Sequence, residues 1–415
     1  MFKTLTIKNW RQYENIDIEF HPQLTVITGA NGSGKTTLLN ILNKHLGWQM
    51  HLVSTPQTDK KSGLLSFLSG WFGRQFDTQE VLTDDEISIG TIDYSSGEHA
   101  EIIIPVNVGE QYSVQVKGQI SIKGIFIPSH RPTFSYNKVT NIPTQAPSAT
   151  ELFGSYSERV KSRFLWNGDN TPPNFHIKQS LIALSIHGYG SEVRQSVPES
   201  KRLYEGFQEI LRKVLPARLG FSGIVVGQSE VMLITKTGRF GLEAVSGGIT
   251  AVFDLAWQLY TFSQVHPDEK FVVVIDEPEN HLHPEMQRTL LRDFINAFPH
   301  VQFIVSTHNP FIVTSLSNSN VFALKYNEEN KVESERLDLF EKAGSSNEIL
   351  RDVLGLDTAL PLWVEQQLEE VISRYSAMKF EDETFVQLRK ELKESGLDRM
   401  VPETIARIAE KNTDD

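Results

Sequence analysis

Four short stretches hold residue types and spacings that could do phosphate chemistry. Residues 29–36, GANGSGKT, set Gly29, Gly32 and Gly34 around Asn31 and Ser33 and end in Lys35 and Thr36, with Thr37 beyond. Glycines let main-chain amides face an anion, a lysine there neutralises phosphate oxygens, and the Thr36 hydroxyl suits Mg²⁺. The apolar run VVVIDEP ends in Asp276 and Glu277. One carboxylate at such a strand end can hold the metal and the next can polarise an attacking water, which assigns Asp276 to Mg²⁺ and Glu277 to the water. The following apolar run ends in STHNP, where His308 is suited to contact a terminal phosphate or hold the lytic water. In AVSGGIT, Ser246, Gly247 and Gly248 open an apolar helix whose bare amides make a second anion site. A chain with a strong phosphate loop has no obvious use for it.

Weaker candidates surround these. Arg11 and Tyr13 follow the first strand and could reach phosphate and adenine, against the plainer reading of an exposed arginine and a packing tyrosine. His281 and His283 in NHLHP share a face only in an extended segment and have no cysteine or third histidine nearby, so a loop role is preferred over zinc. YSSGEHAEI resembles the second anion stretch but sits between alternating strands, and Ser95 to Glu98 reads as a hairpin turn.

The elements that must position these residues follow from periodicity. QLTVITG runs through the phosphate loop into a helix with apolar Leu38, Leu39, Ile41, Leu42 and Leu46, giving strand, loop, helix. KFVVVIDEP and VQFIVSTHNP, separated by a helix around PEMQRTLLRDFINAF, read as buried parallel strands. The expected fold is α/β, with a mixed and partly parallel core sheet, an antiparallel N-terminal β part, a helical insert and a helical C-terminal tail. Residues 50–80 read as a surface excursion. EISIGTIDYSSGEHAEIIIPVNV and YSVQVKGQISIKGIFIPS read as one antiparallel sheet, residues 133–215 as interrupted helices, and IVVGQSEVMLITKTGRFGLEAV as a hairpin. The expected division is 1–335, with a β-rich and helical insert over about 50–215, and a helical region 336–415.

Composition narrows the function classes. The 415 residues are 39% hydrophobic and 22% charged, ordinary for a globular chain. No apolar run approaches the roughly 20 residues that cross a bilayer, and MFKTLTIKNW lacks the layout of a secretory signal, so no membrane partner and a cytoplasmic location are expected. With no cysteine, disulfides and thiolate metal sites are excluded. A net charge of −12 argues against indiscriminate nucleic-acid binding, although a local basic groove is compatible with it.

Together the motifs resemble the ATP-binding-cassette ATPases, in the branch of the chromosome-maintenance, RecF-like and OLD-like proteins. LTIKNWRQYENIDIEF looks like that branch's N-terminus, GANGSGKTT its Walker A, VVVIDEP its Walker B, STHNP its His loop, and AVSGGIT occupies its signature slot. The resemblance covers about 1–45 and 220–325. It implies ATP and Mg²⁺ as ligands, and it explains the second anion site. In the family, the signature docks on the γ-phosphate held by another subunit, so Ser246, Gly247 and Gly248 would act in trans and two chains would close around two ATP molecules. Three positions depart from the pattern: Ile249 where Gln or Glu is common, His283 where many members have Asp, and Ser129, His130 and Arg131 near the slot of the Q-loop glutamine. Slow turnover, suited to a switch, is the expectation.

The broken helices of 133–215 cannot form the coiled-coil arm of a DNA tether. The tail is too short for the Toprim domain of OLD-type nucleases. DEPENHLHP and SSNEILRDVLGLDTALP look like the stand-alone ATPases of anti-phage systems, nearest to the Septu type, paired with an HNH nuclease, and next to the ATPase of Toprim-paired systems. The resemblance therefore implies an ATP-gated dimer, open to higher homo-oligomers, that regulates and scaffolds a separate nuclease. The alternative is a RecF-like repair ATPase with DNA as its partner. A third reading is a nucleotide-binding scaffold without turnover.

Overall fold

The computed structural model describes residues 1–58, 65–69, 81–83, 86–105, 108–131, 134–166, 171–356, 360–376, 378 and 382–411. The chain forms two compact units, Met1–Ile349 and Leu350–Asp415.

The first unit is built on a 12-stranded sheet. Its strands include β1 (Phe2–Trp10), β2 (Tyr13–Glu19), β3 (Leu24–Gly29), β4 (Glu86–Tyr94), β5 (His99–Pro105), β6 (Gln115–Lys117) and β7 (Gly124–Ile127). A separate three-stranded sheet holds β8 (Gly223–Gly227), β9 (Glu230–Thr235) and β10 (Gly238–Gly241). The large sheet is completed by β11 (Phe271–Asp276), β12 (Val301–Thr307), β13 (Asn320–Tyr326) and β14 (Val332–Arg336). Its order is β6-β5-β4-β1-β2-β14-β13-β3-β12-β11-β7, with Val81–Thr83 beside β4.

The two ends of this sheet differ as their sequences dictate. Within β1 and β2 buried residues alternate with less buried ones (Leu5 and Ile7, then Ile16 and Ile18), as suits antiparallel strands with one covered face. In β3, β11 and β12 every residue is buried, and these strands run parallel. Register then aligns their C-terminal ends: Asp276 lies opposite Ser306, and Thr307 opposite Thr28. Three loops consequently leave the sheet at one edge, where ligands of α/β sheets collect.

Helix α1 (Lys35–Asn43) packs on this parallel part. The helical layer contains α2 (Ala149–Trp166), α3 (Pro173–Tyr189), α4 (Pro198–Val214), α5 (Gly247–Val265) and α6 (Pro284–Ala297). α5 is buried at every position from Ile249 to Ser263, because α2 and α4 pack against it. The second unit contains α7 (Leu362–Ser376), α8 (Asp382–Glu394) and α9 (Val401–Lys411), closed over Val364, Leu368, Leu388, Leu392 and Ile408. Among the described residues no helix is long and apolar enough to cross a membrane.

The mixed α/β architecture and the turn at Ser95–Glu98 agree with the sequence expectation, with Tyr94 accepting a main-chain bond from Gly97. Other details differ. Gly124–Ile127 leaves the antiparallel region and pairs in parallel with β11, where its apolar side chains find a covered face. The expected hairpin is a three-stranded meander, since Thr235 and Gly238 turn the chain back once more. Residues 134–148 form no helix. Pro143 and Pro147 interrupt the pattern, and α3 side chains bond the free carbonyls instead, Asn174 to Ser135 and Lys178 to Asn137. The surface excursion includes short strands at Leu52–Val53, Thr55–Thr58 and Leu65–Leu68; residues 59–64 and 70–80 lie outside the described residues.

Candidate nucleotide site

Glycine is required in the loop between β3 and α1 by close approach as well as by backbone angle. Gly29 has φ +143°, and a Cβ there would lie 2.6 Å from the Leu324 carbonyl oxygen. Gly34 has φ +98°, and a Cβ would meet the Tyr13 hydroxyl at 2.2 Å. That hydroxyl donates to the Gly34 carbonyl at 2.7 Å. Tyr13 is fully buried beneath the loop, so it braces the loop and is not available to stack on adenine. α1 then begins with no acidic residue in its first turn and no side-chain cap, leaving its amides to an anion. The Ser33 hydroxyl is buried in the same loop without a hydrogen-bond partner, a donor left over for a ligand. Asn31 and Gly32 are exposed, and Thr36 and Thr37 follow on the first turn of the helix.

Lys35 bends back over the loop and donates to the carbonyls of Gly29 at 2.8 Å and Ala30 at 3.0 Å. Burial lowers its pKa, while Glu277, Asp276 and Glu279 pull the other way. Thr36 Oγ1 donates to Asp276 Oδ2 at 3.1 Å, and the Ser306 hydroxyl donates to Asp276 Oδ1. Burial raises the Asp276 pKa, against the Ser306 and Thr36 hydrogen bonds. A cation beside it would relieve that cost. Cis ligands on an octahedral Mg²⁺ with bonds of about 2.1 Å stand about 3 Å apart, and the ion keeps most of its shell as water and phosphate oxygens. The Thr36–Asp276 pair fits that requirement.

Glu277 extends past Asp276 with its carboxylate 3.1 Å from His308 Nδ1 and accepting from Asn280 Nδ2 at 2.9 Å. Glu279 turns inward, takes the Thr307 hydroxyl, and has its pKa raised by burial. The phosphate loop, both carboxylates and His308 thus occupy one edge of the sheet.

Ser246, Gly247 and Gly248 lie elsewhere. Ser246 precedes α5 as an exposed N-cap, its side chain making no cap bond, and the helix begins at Gly247 rather than at Ile249. Ser246, Gly248 and Ile249 line a cavity of about 590 Å³ with Arg218, His281 and His283; no phosphate-loop residue lines it. His283 caps α6, its Nδ1 accepting from the Glu285 amide. No cluster of three or more metal-ligating side chains occurs among the described residues. Arg11 sits in the β1–β2 turn at φ +54°, donates to the Val53 carbonyl at 2.6 Å and lies over the Trp10 ring.

Sequence reasoning names Tyr13 and Arg131 but not the contacts by which they brace the site, Tyr13 under Gly34 and Arg131 on main-chain carbonyls of the Glu277 loop, and it does not single out Asn280, which bonds Glu277. The signals for Arg131 were its place near the Q-loop slot and a cation between two prolines just after an apolar strand, IFIPSHRP.

Comparison with known proteins finds likeness to AAA domains and to proteins named as ATPases. Two family models match in succession: an AAA domain over residues 4–164, and "AAA domain, putative AbiEii toxin, Type IV TA system" over 157–314. The Septu protein PtuA of Bacillus thuringiensis is 23% identical over 381 residues, 88% of this chain and 87% of that protein. The Retron Vc95 probable ATPase of Vibrio cholerae serotype O1 biovar El Tor is 42% identical over 50 residues, 12% of this chain and 10% of that one. Among solved structures, the SMC head domain from Thermotoga maritima is 14% identical and matches with a TM-score of 0.41, covering 81% of this chain and 99% of that chain.

Proposed function

Starting from a chain that carries an AAA/ABC-type ATPase domain, we propose an ATP-binding, slowly hydrolysing enzyme that closes as a dimer around ATP and acts as the regulatory scaffold of a separate nuclease in anti-phage defence. The observation that carries the chemistry is the meeting of the phosphate loop, Asp276, Glu277 and His308 at one sheet edge. The similarity to Septu protein PtuA along most of both chains supports the defence setting.

The reading gives each residue a role that its position supports. The amides from Gly32 to Thr37 and the Ser33 hydroxyl bind the phosphates, and Lys35 exchanges the Gly29 and Ala30 carbonyls for phosphate oxygens. Thr36 and Asp276 hold Mg²⁺, which when bound offsets the charge on the terminal phosphates. Glu277 accepts a proton from water as its oxygen bonds to the γ-phosphorus. The bond from that phosphorus to the bridging oxygen breaks, and ADP and phosphate leave. His308, beside Glu277, orients the water or the γ-phosphate. Ser246, exposed and away from its own phosphate loop, and the amides of Gly247 and Gly248 take the γ-phosphate of a second copy's ATP. Ile249 offers no side-chain hydrogen bond there, in keeping with slow turnover.

One experiment tests the whole reading: tagged wild type and Glu277→Gln are purified from a host carrying the neighbouring genes, then assayed for ATP hydrolysis and native mass. The expected result is slow hydrolysis by wild type, loss in the variant, and a stoichiometric nuclease held by both. Hydrolysis untouched by Glu277→Gln, or retention of DNA with no nuclease, would refute it.

A further inference from the structure

Glu277 departs from regular backbone just where its carboxylate must be aimed. Its φ is +48°, a left-handed conformation that residues with a Cβ rarely adopt. Such a conformation persists only where the surroundings hold it. On one side the Glu277 amide donates to the Ser306 carbonyl of β12 at 3.0 Å. On the other, the Arg131 guanidinium donates to three successive bends of the same loop: to the carbonyls of Glu277 at 2.8 Å, Pro278 at 3.0 Å and Asn280 at 3.3 Å.

Arg131 is suited to this task. It is only 7% exposed, and it follows β7, the strand paired beside β11. Asn280 closes the arrangement by donating both to the Ser129 carbonyl at 3.2 Å and to the Glu277 carboxylate. A guanidinium is planar, always charged and able to serve several acceptors at fixed angles, which an ammonium cannot do. Its charge is balanced by Asp254 on α5 and by Glu279, Asp276 and Glu277. Asp254 is itself buried, accepting from Tyr156 of α2 and from Gln258 at 2.9 Å. Arg131 therefore touches the Glu277 loop by hydrogen bonds, with Asp254 of α5 among the carboxylates that favour its charge.

We propose that Arg131 is a positioning residue for ATP hydrolysis: its guanidinium fork holds the Glu277 backbone in its left-handed turn, so that the carboxylate faces His308 and the attacking water. The assignment rests on the proposed role of Glu277. Arg131 itself bonds no phosphate-loop residue, so it acts on the rate and not on nucleotide affinity.

The test measures kcat and, separately, the affinity for a fluorescent ATP analogue in four chains: wild type, Arg131→Lys, Glu277→Gln and the double variant. Arg131→Lys keeps the buried charge and guards against a mere folding failure, and thermal unfolding confirms that each chain is folded. Arg131→Lys should lower kcat ten- to a hundredfold, keep nucleotide affinity within about twofold, and add nothing in the Glu277→Gln background, because both changes act through one carboxylate. A folded Arg131→Lys chain with wild-type kcat, or with affinity falling in parallel with rate, overturns the assignment of Arg131 alone. A kcat that Glu277→Gln leaves unchanged overturns the role of Glu277 and the Arg131 proposal with it.

Discussion

At the scale of the residue, the phosphate loop holds its cation against itself until a ligand arrives. Lys35 is buried and already satisfied by two loop carbonyls, so on the proposed reading nucleotide binding would exchange those contacts for charge-assisted ones to phosphate. Hydrogen bonds to a charged group contribute about 1.5–3 kcal/mol, which converts to roughly ten- to a hundredfold in affinity. Lys35→Ala should weaken binding of a fluorescent ATP analogue by that factor while the fold survives; an unchanged dissociation constant would mean that nucleotide binds elsewhere. The residues that carry this chemistry were legible because their spacing is local. GANGSGKT and IDEP announce themselves within a single turn or strand end. The contacts that brace them were not, since Tyr13 and Arg131 act on partners far away in sequence and only the fold brings them together.

At the scale of the element, the parallel strands could be read from their unbroken apolar runs, whereas β7 could not. Four residues of GIFI fit either sheet region, and the choice depends on which neighbour can cover both of their faces. The end of α1 shows a similar dependence on distant partners. His45 is buried, packs edge-on against Phe2, and bonds the Leu42 carbonyl and the Tyr94 hydroxyl. Burial lowers its pKa from 6.5 to about 4. The folded value lies below the unfolded one, so the unfolded chain binds the proton first. The stability linked to His45 is complete above pH 6.5 and is lost as the pH falls towards 4, by about 3 kcal/mol at most. Thermal unfolding of wild type and His45→Phe between pH 7 and 4.5 should show a shallower acid decline in the variant. Parallel declines would show that His45 takes up its proton in the folded chain as readily as in the unfolded one.

At the scale of the whole molecule, a single chain separates its phosphate loop from Ser246, the proposed second anion site. The phosphate loop opens at the edge of the large sheet, and Ser246 caps α5 beside a cavity that no phosphate-loop residue lines. On the proposed reading one chain would offer half of each site, and an isologous dimer would complete two. Complementation between defective chains tests this directly. Lys35→Ala disables the loop, and Ser246→Arg, at an exposed cap with no side-chain bond to lose, blocks the docking face. Each variant alone should be inactive. In an equimolar mixture about half of the dimers are mixed, and each of those has one site in which an intact loop faces an intact signature, so about a quarter of wild-type hydrolysis should return. Adding Glu277→Gln to the Ser246→Arg chain should abolish the recovery, because that chain supplies the only working loop and its own water-activating carboxylate. Recovery near zero from the first mixture, with both proteins folded and exchanging subunits, would mean that each chain hydrolyses ATP without its neighbour's Ser246.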